Sequence, residues 1–255
     1  MNWDEYECWV KHLGEWGAEY HKTLRERPVR AQTTPGDIAG QLSNNAPEQG
    51  TDMSIIMSDF EQIVMPGMTH WQHPRFFAYF PANASPPSML ADIITSTMAA
   101  QCMLWQTSPA ATEMETKVMD WLRQAVGLPP EFQGVIQDSA SGATLAAVLT
   151  MRERALNWTG NQTGLNNKGQ LRVYCSDQVH SSIDRAVWIA GIGSDNIIRI
   201  PSAGPLHSMD CDALSHAIQA DFQAGHIPIG VIACTGGTSI GACDDIARVV
   251  SIAKH

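Results

Sequence analysis

Apolar residues recur along the first 27 positions as Trp3, Tyr6, Val10, Leu13, Gly17, Tyr20 and Leu24, alternating three and four apart. That spacing lays one narrow seam along a helix, with a hole at Gly17 and a stop at Pro28. So thin a stripe suits packing against one other helix, in the chain's own core or on a second subunit. Residues 31–50 are rich in Gln, Asn, Pro and Gly and read as an extended arm. Thr51 or Asp52 caps a second helix that carries Ile56, Phe60, Ile63 and Val64 on one face and ends at Pro66. The aromatic stretch from His70 to Pro81 is interrupted by two prolines, which excludes a regular central strand or helix. Helical periodicity returns at 86–105 and 112–126, with Leu90, Ile93, Ile94, Thr97 and Met98 on one face and Met114, Val118, Trp121, Leu122 and Val126 on the other.

From about residue 134 the period changes. Short β-rich runs at Val135-Ile136, Val173–Cys175, Ile197–Ile200 and Ile229–Cys234 take turns with helical stretches at 143–158, 181–192, 210–224 and 245–254. Strand and helix in alternation predict an α/β fold with a mostly parallel sheet covered by helices. The expected organisation is an N-terminal helical segment with the aromatic loop over 1–85, followed by a ligand-binding α/β region over 86–255. Ligands of such sheets sit in the strand-to-helix loops beyond the carboxyl ends of the strands.

Sixteen Lys and Arg against 26 Asp and Glu give a net charge of −10, with no basic patch for a phosphate backbone, so nucleic acid is excluded. Lys22, Arg25, Arg27 and Arg30 are the densest positive group and read as a solvated helix end. No run is long and apolar enough for a membrane span, and the acidic start is unlike a signal peptide, so a cytoplasmic protein is expected. The six cysteines form no CxxC pair and read as reduced, mostly buried thiols. No zinc site is expected; His70 and His73 have no further ligand pair nearby and read as loop histidines beside Pro74.

Three loops hold candidate chemistry. Gln137–Thr144 offers small residues, the hydroxyls of Ser139, Ser141 and Thr144 and the free amides of a helix start, which suit either an anion cradle or an ordinary capped helix. It has no GxGxxG and no Walker lysine, so neither a dinucleotide nor a P-loop triphosphate fits. Ser176–Ser182 places His180 at a strand's carboxyl end, where an imidazole can stack on a ring or exchange a proton. Thr235–Asp245 supplies glycines, Thr238 and Ser239, with Asp244 or Asp245 capping the next helix. Together these loops point to a small, phosphate-bearing, ring-shaped ligand at one sheet edge.

The stretches Val64–Trp71, Phe76–Pro81, Ser108–Glu113, Ser139-Ala140-Ser141, Ser176–Ser182 and Gly237-Thr238-Ser239 resemble the aromatic-L-amino-acid decarboxylase family in its order. These are group II, pyridoxal-phosphate-dependent decarboxylases of the aspartate-aminotransferase fold (fold type I). The resemblance implies pyridoxal 5'-phosphate as cofactor, with Ala140 and Ser141 on its phosphate, His180 stacked on its ring as a catalytic residue, and Thr238 nearby. It implies that Trp71, Tyr79, Phe80 and Pro81 wall the substrate's aromatic group, and that N-terminal helices interlock in a homodimer. Gln101 and Met103 stand where the family often has apolar or aromatic residues reaching the partner's pocket.

In that family an aspartate in a His-x-Asp-Ala-Ala stretch binds the pyridine nitrogen, and a later His-Lys-Trp lysine binds the cofactor covalently. Both are expected beyond residue 255, supplied by a continuing chain or a complementing C-terminal fragment, and the 255 residues alone are expected to be inactive. The expected reaction is decarboxylation of an aromatic L-amino acid to its amine and carbon dioxide. The alternatives are a non-catalytic dimerising or cofactor-binding remnant, and oxidative deamination to an aldehyde. His180 argues against the last, because aldehyde-forming relatives differ at its position among others.

Overall fold

The computed structural model describes residues 1–80 and 83–254 and divides into two compact units, Met1–Thr97 and Met98–His255. The division falls later than the 85/86 boundary expected from sequence, since the helix after residue 85 goes almost wholly with the N-terminal unit.

In the N-terminal unit, α1 (Trp3–Thr23) starts in a capping box: the Glu5 amide donates to the Asn2 side chain, whose own backbone amide donates to Glu5. A short 3₁₀ turn, Leu24–Glu26, carries the chain to Pro28. The polar arm has only one 3₁₀ turn, Ala39–Gln41. Helix α2 (Met53–Asp59) runs on through a π turn, Phe60–Val64, and a 3₁₀ turn, Met65–Gly67, at Pro66. Asp52 precedes α2 through its backbone, with no side-chain cap bond. Helix α3 (Pro86–Met98) is shorter than the periodicity predicts; Ala99 turns into left-handed backbone, φ 47°, and ends it.

The C-terminal unit opens with α4 (Pro109–Ala125), which has proline in its first turn. It continues through α5 (Ala140–Ala155), α6 (Gly160–Thr163), β1 (Leu171–Ser176), α7 (Ser182–Ile189), β2 (Ile197–Ile200), the hairpin strands β3 (Ser202–Ala203) and β4 (Ser208–Met209), α8 (Cys211–Gln223), β5 (Ile227–Ile232) and α9 (Ile246–Lys254). The main sheet has the order β2-β1-β5 with both pairings parallel, as the alternation predicts. The run Val135-Ile136 forms no strand: nothing pairs with it among the described residues, and the Ile136 amide donates to Glu115 on α4 instead (2.8 Å).

Strand β1 explains the layers. Val173 and Cys175 face one cluster with Val148 of α5 and Ala186 and Val187 of α7; Tyr174, one position out of phase, faces Leu214 of α8 and Val249 of α9. A central parallel strand is thus buried on both faces. Gly230 lets α5 close down, because a Cβ there would collide with Met151. All six cysteines are free; Cys175, Cys211 and Cys234 are buried, Cys243 is half-buried, and Cys8 and Cys102 are exposed, so burial is less general than the sequence suggests. Burial pushes the Cys175 thiol up to about 11, so it stays protonated and unreactive. Among the described residues, no helix is long and apolar enough to cross a membrane.

Candidate active site

Parallel pairing sends β1 and β5 out of the sheet at the same edge, so the loops 177–181 and 233–245 lie side by side. The third loop joins them through helix direction. Arg152, late in α5, donates to the carbonyl of Ala190 just past α7 (2.6 Å), and the two helices pack together. They therefore run parallel, and the first turn of α5, with Ala140 and Ser141, shares the edge where α7 begins beside His180.

At the start of α5, the Ser139 hydroxyl accepts from the Gly142 amide (3.1 Å) and caps the helix. Gly142 is required: a Cβ there would strike the Asp138 carboxylate folded beneath it. The amides of Ala140 and Ser141 have no partner among the described residues, and both residues are exposed. A sixteen-residue helix adds its dipole to these two donors. Such an end takes an anion.

His180 is exposed, and its Nδ1 accepts from the Ser182 amide (3.1 Å). A neutral ring in that bond carries its proton on Nε2, which has no partner among the described residues. The loop around it is pinned. Asp177 accepts from the Ser202 amide (3.3 Å), and the Ser202 side chain above all, with Gln178, holds its carboxyl below the usual range; Gln178 in turn reaches the Ser202 hydroxyl (3.3 Å). The Cys234 thiol meets the Gln178 carbonyl (3.8 Å) and ties this loop to the next.

Thr238 sits half-buried in the loop after β5. Gly237 donates to Ala242 and Gly241 to Gly237, while an isolated bridge joins Thr235 to Cys243. Sequence reasoning left Asp244 and Asp245 as equivalent cap candidates; the structure separates them. Asp245 caps α9 by accepting from the Arg248 amide (3.1 Å). Asp244 is 5 % exposed, and its two carboxylate oxygens accept from the amides of Cys234 (2.6 Å) and Met209 (2.7 Å). It thereby clamps the neck of the Thr238 loop to β4. Only the pairing of adjacent aspartates hinted at this role.

Within the N-terminal unit, Trp71 stacks on Tyr79 (centroids 6.0 Å apart) and leans on Phe76 (4.8 Å). Tyr79 and Phe80 are exposed, and Tyr79 holds left-handed backbone, φ 55°, which is rare for a bulky residue. Pro81 lies outside the described residues. His70 and His73 lie in a loop, as expected, and both are buried. Of the four basic residues near Pro28, Arg27 departs from the solvated reading, with its guanidinium 5.0 Å over the Tyr20 ring. No residue of α1 is buried; Tyr6, Val10 and Leu13 of its seam instead line a groove of about 1220 Å³ with Met89, Leu90 and Ile93 of α3.

The pyridoxal-dependent decarboxylase conserved domain matches residues 35–255. The chain is 38% identical over 259 residues to the aromatic-L-amino-acid decarboxylase of Rattus norvegicus, covering 96% of this chain and 53% of that protein. It is 36% identical over 244 residues to the 4-hydroxyphenylacetaldehyde synthase of Rhodiola rosea, covering 93% and 49%. Among solved structures, Oryza sativa TDC with PLP and tryptamine matches with a TM-score of 0.92 at 34% identity, over 100% of this chain and 53% of that one. The fold is that of the pyridoxal-phosphate decarboxylases, and the chain spans about half the length of the relatives it matches.

Proposed function

This chain belongs to the pyridoxal-dependent decarboxylases, and we propose that it builds the cofactor cradle and substrate wall of an enzyme that decarboxylates an aromatic L-amino acid. Pyridoxal phosphate is the cofactor of the family. The observation that carries the reading is the pair of unpartnered amides at Ala140 and Ser141 on the same sheet edge as His180.

Those amides and the Ser141 hydroxyl fit a phosphate dianion, each charge-assisted bond contributing roughly 1.5–3 kcal/mol. The imidazole of His180, oriented by Ser182, fits the flat face of a pyridine ring. When bound, the cofactor supplies the electron-withdrawing ring that accepts the electron pair left as carbon dioxide departs. His180 keeps its Nε2 proton directed by the bond at Nδ1, and Thr238 offers a hydroxyl from the neighbouring loop. Trp71, Tyr79, Phe80 and Pro81 receive the substrate's aromatic group and exclude water from it. The lysine and aspartate that complete such a site are assigned to the second half of the relatives' length. A homodimer is part of the proposal, because the α1 seam and the α3 face line an open apolar groove that suits helices of a second copy.

Equilibrium dialysis of the chain against pyridoxal phosphate tests the cradle: saturable binding is expected, lowered about tenfold or more by Ser141→Asp, which sets a like charge against the phosphate. Turnover is tested with the chain extended through the second half of its relatives' length, fed tryptophan, tyrosine or phenylalanine. Cofactor-dependent release of amine and carbon dioxide supports the reading, and no release from any of them overturns it. The likeness to 4-hydroxyphenylacetaldehyde synthase favours a second reading, aldehyde formation, which mass analysis of the product separates from amine.

A further inference from the structure

Residues 70–80 carry two histidines and five aromatic side chains, and the histidines are the buried members. His70 and His73 are 4% and 3% exposed, while Trp71, Phe77 and Tyr79 lie open. The segment has no helix or strand, so few backbone bonds hold it: His70 donates to the Val29 carbonyl (2.9 Å), His73 to that of His70 (3.0 Å) and Phe76 to that of His73 (2.8 Å).

The side chains add two pegs into the end of the first helix. Nδ1 of His70 is hydrogen-bonded to the Tyr20 hydroxyl at 2.8 Å. His73 accepts the Arg75 amide at Nδ1 (3.0 Å), which puts its proton on Nε2, and Nε2 donates to the Arg25 carbonyl (3.3 Å). Tyr20 is itself immobilised, stacked on Trp16 (5.5 Å, 18°) below the Arg27 guanidinium, and Trp16 donates to Glu61 (3.1 Å). The line Glu61–Trp16–Tyr20–His70 thus ends one residue from Trp71. Tyr79, stacked on Trp71, keeps an unfavourable left-handed backbone that persists only where its surroundings hold it.

We infer that Tyr20 and His70 are positioning residues: their hydrogen bond sets the angle of the Trp71–Tyr79 platform against the aromatic ring of the substrate. This rests on the wall reading given under Proposed function, but the pegging itself is a property of the N-terminal unit and can be measured without turnover.

The test uses the chain labelled with 5-fluorotryptophan, the Trp71 resonance being assigned with Trp71→Phe. Tyr20→Phe removes only the hydroxyl. The expected result is displacement or broadening of the Trp71 signal, with Trp105, Trp121, Trp158 and Trp188 unmoved. His73→Gln, which loosens the second peg from the loop side, is expected to disturb the same signal and serves should Tyr20→Phe fail to fold. An unmoved Trp71 signal in the folded variants, or a collective shift of all tryptophans, overturns the inference. In the extended, active form Tyr20→Phe is expected to raise KM for the aromatic amino acid about fivefold at unchanged kcat. A displaced Trp71 signal with unchanged KM keeps the pegging but rejects the wall, so the two failures are distinguishable.

Discussion

The two units are held together by different means. In the C-terminal unit, β1 is buried on both faces, and Val148, Val173, Val187 and Leu214 are sealed between helices and sheet. In the N-terminal unit, the buried described residues are Leu24, Met57 and two histidines, while α1 and α3 expose most of their apolar faces. The first has a packed core, although α4 and α7 leave Trp121, Leu122 and Trp188 exposed. The second has little buried core, its local order coming from hydrogen bonds and aromatic stacking. The difference teaches that apolar periodicity marks an apolar helix face without showing that the face is covered.

One substitution applied to both units tests this most strongly. Leu214→Ala removes a side chain with 0% exposure and is expected to lower unfolding free energy by about 3 kcal/mol in urea denaturation. Leu13→Ala, at 43% exposure in the α1 seam, is expected to change it by less than about 0.5 kcal/mol in dilute solution. Equal losses would mean that the seam is packed within one chain after all.

The seam's cost is expected in association. Leu13→Asp places a charge in the groove between α1 and α3 and is expected to weaken dimer formation about a hundredfold, read by sedimentation equilibrium. A dissociation constant unmoved by the charge would remove this face from the interface. The C-terminal unit offers a polar counterpart in Asp244. Asp244→Asn keeps the shape but turns an amide towards one of two buried donors, so a loss of about 2 kcal/mol is expected, with faster hydrogen exchange at Cys234 and Met209. Unchanged exchange would show that the carboxylate is not the clamp on the Thr238 loop.

How far the sequence could be read follows the same divide. The parallel sheet and its flanking helices were legible because short β-rich runs take turns with stretches whose apolar residues recur every three or four positions. The three loops were legible because small and hydroxyl-bearing residues cluster where periodicity breaks. Three features were not. Val135-Ile136 has the composition of a strand, but a strand needs a neighbour, and none is present among the described residues. The periodicity over 86–105 continues past Met98 because Ala99 and Ala100 give no sign that the backbone turns left-handed there. The burial of His70 depends on Tyr20, 50 residues earlier, a contact that no local pattern encodes. The candidate active site was therefore legible in its loops and not in the Asp244 clamp that holds the Thr238 loop, just as the N-terminal aromatic segment was legible without its His73 peg.

The smallest expected effect is a separation of the two units by pH. Burial, followed by the nearby charges of Arg27 and His73, holds the His70 imidazole below the ordinary histidine value of 6.5, and Tyr20 is the other titratable group against it. The folded chain thus takes up this proton at lower pH than the unfolded chain. The contribution of neutral His70 is complete above about pH 6.5 and is lost as the pH falls through its folded value. In the C-terminal unit, hydrogen bonds hold Asp177 and Asp210 below the ordinary 3.8, so their contributions survive until the pH falls well below that of the histidine window. Between pH 6.5 and 5, hydrogen exchange is expected to quicken around residues 16–31 and not in β1, relative to His70→Gln at each pH, which cancels the intrinsic pH dependence of exchange. Parallel acceleration in both units would mean that they unfold as one and that His70 is not the group responsible.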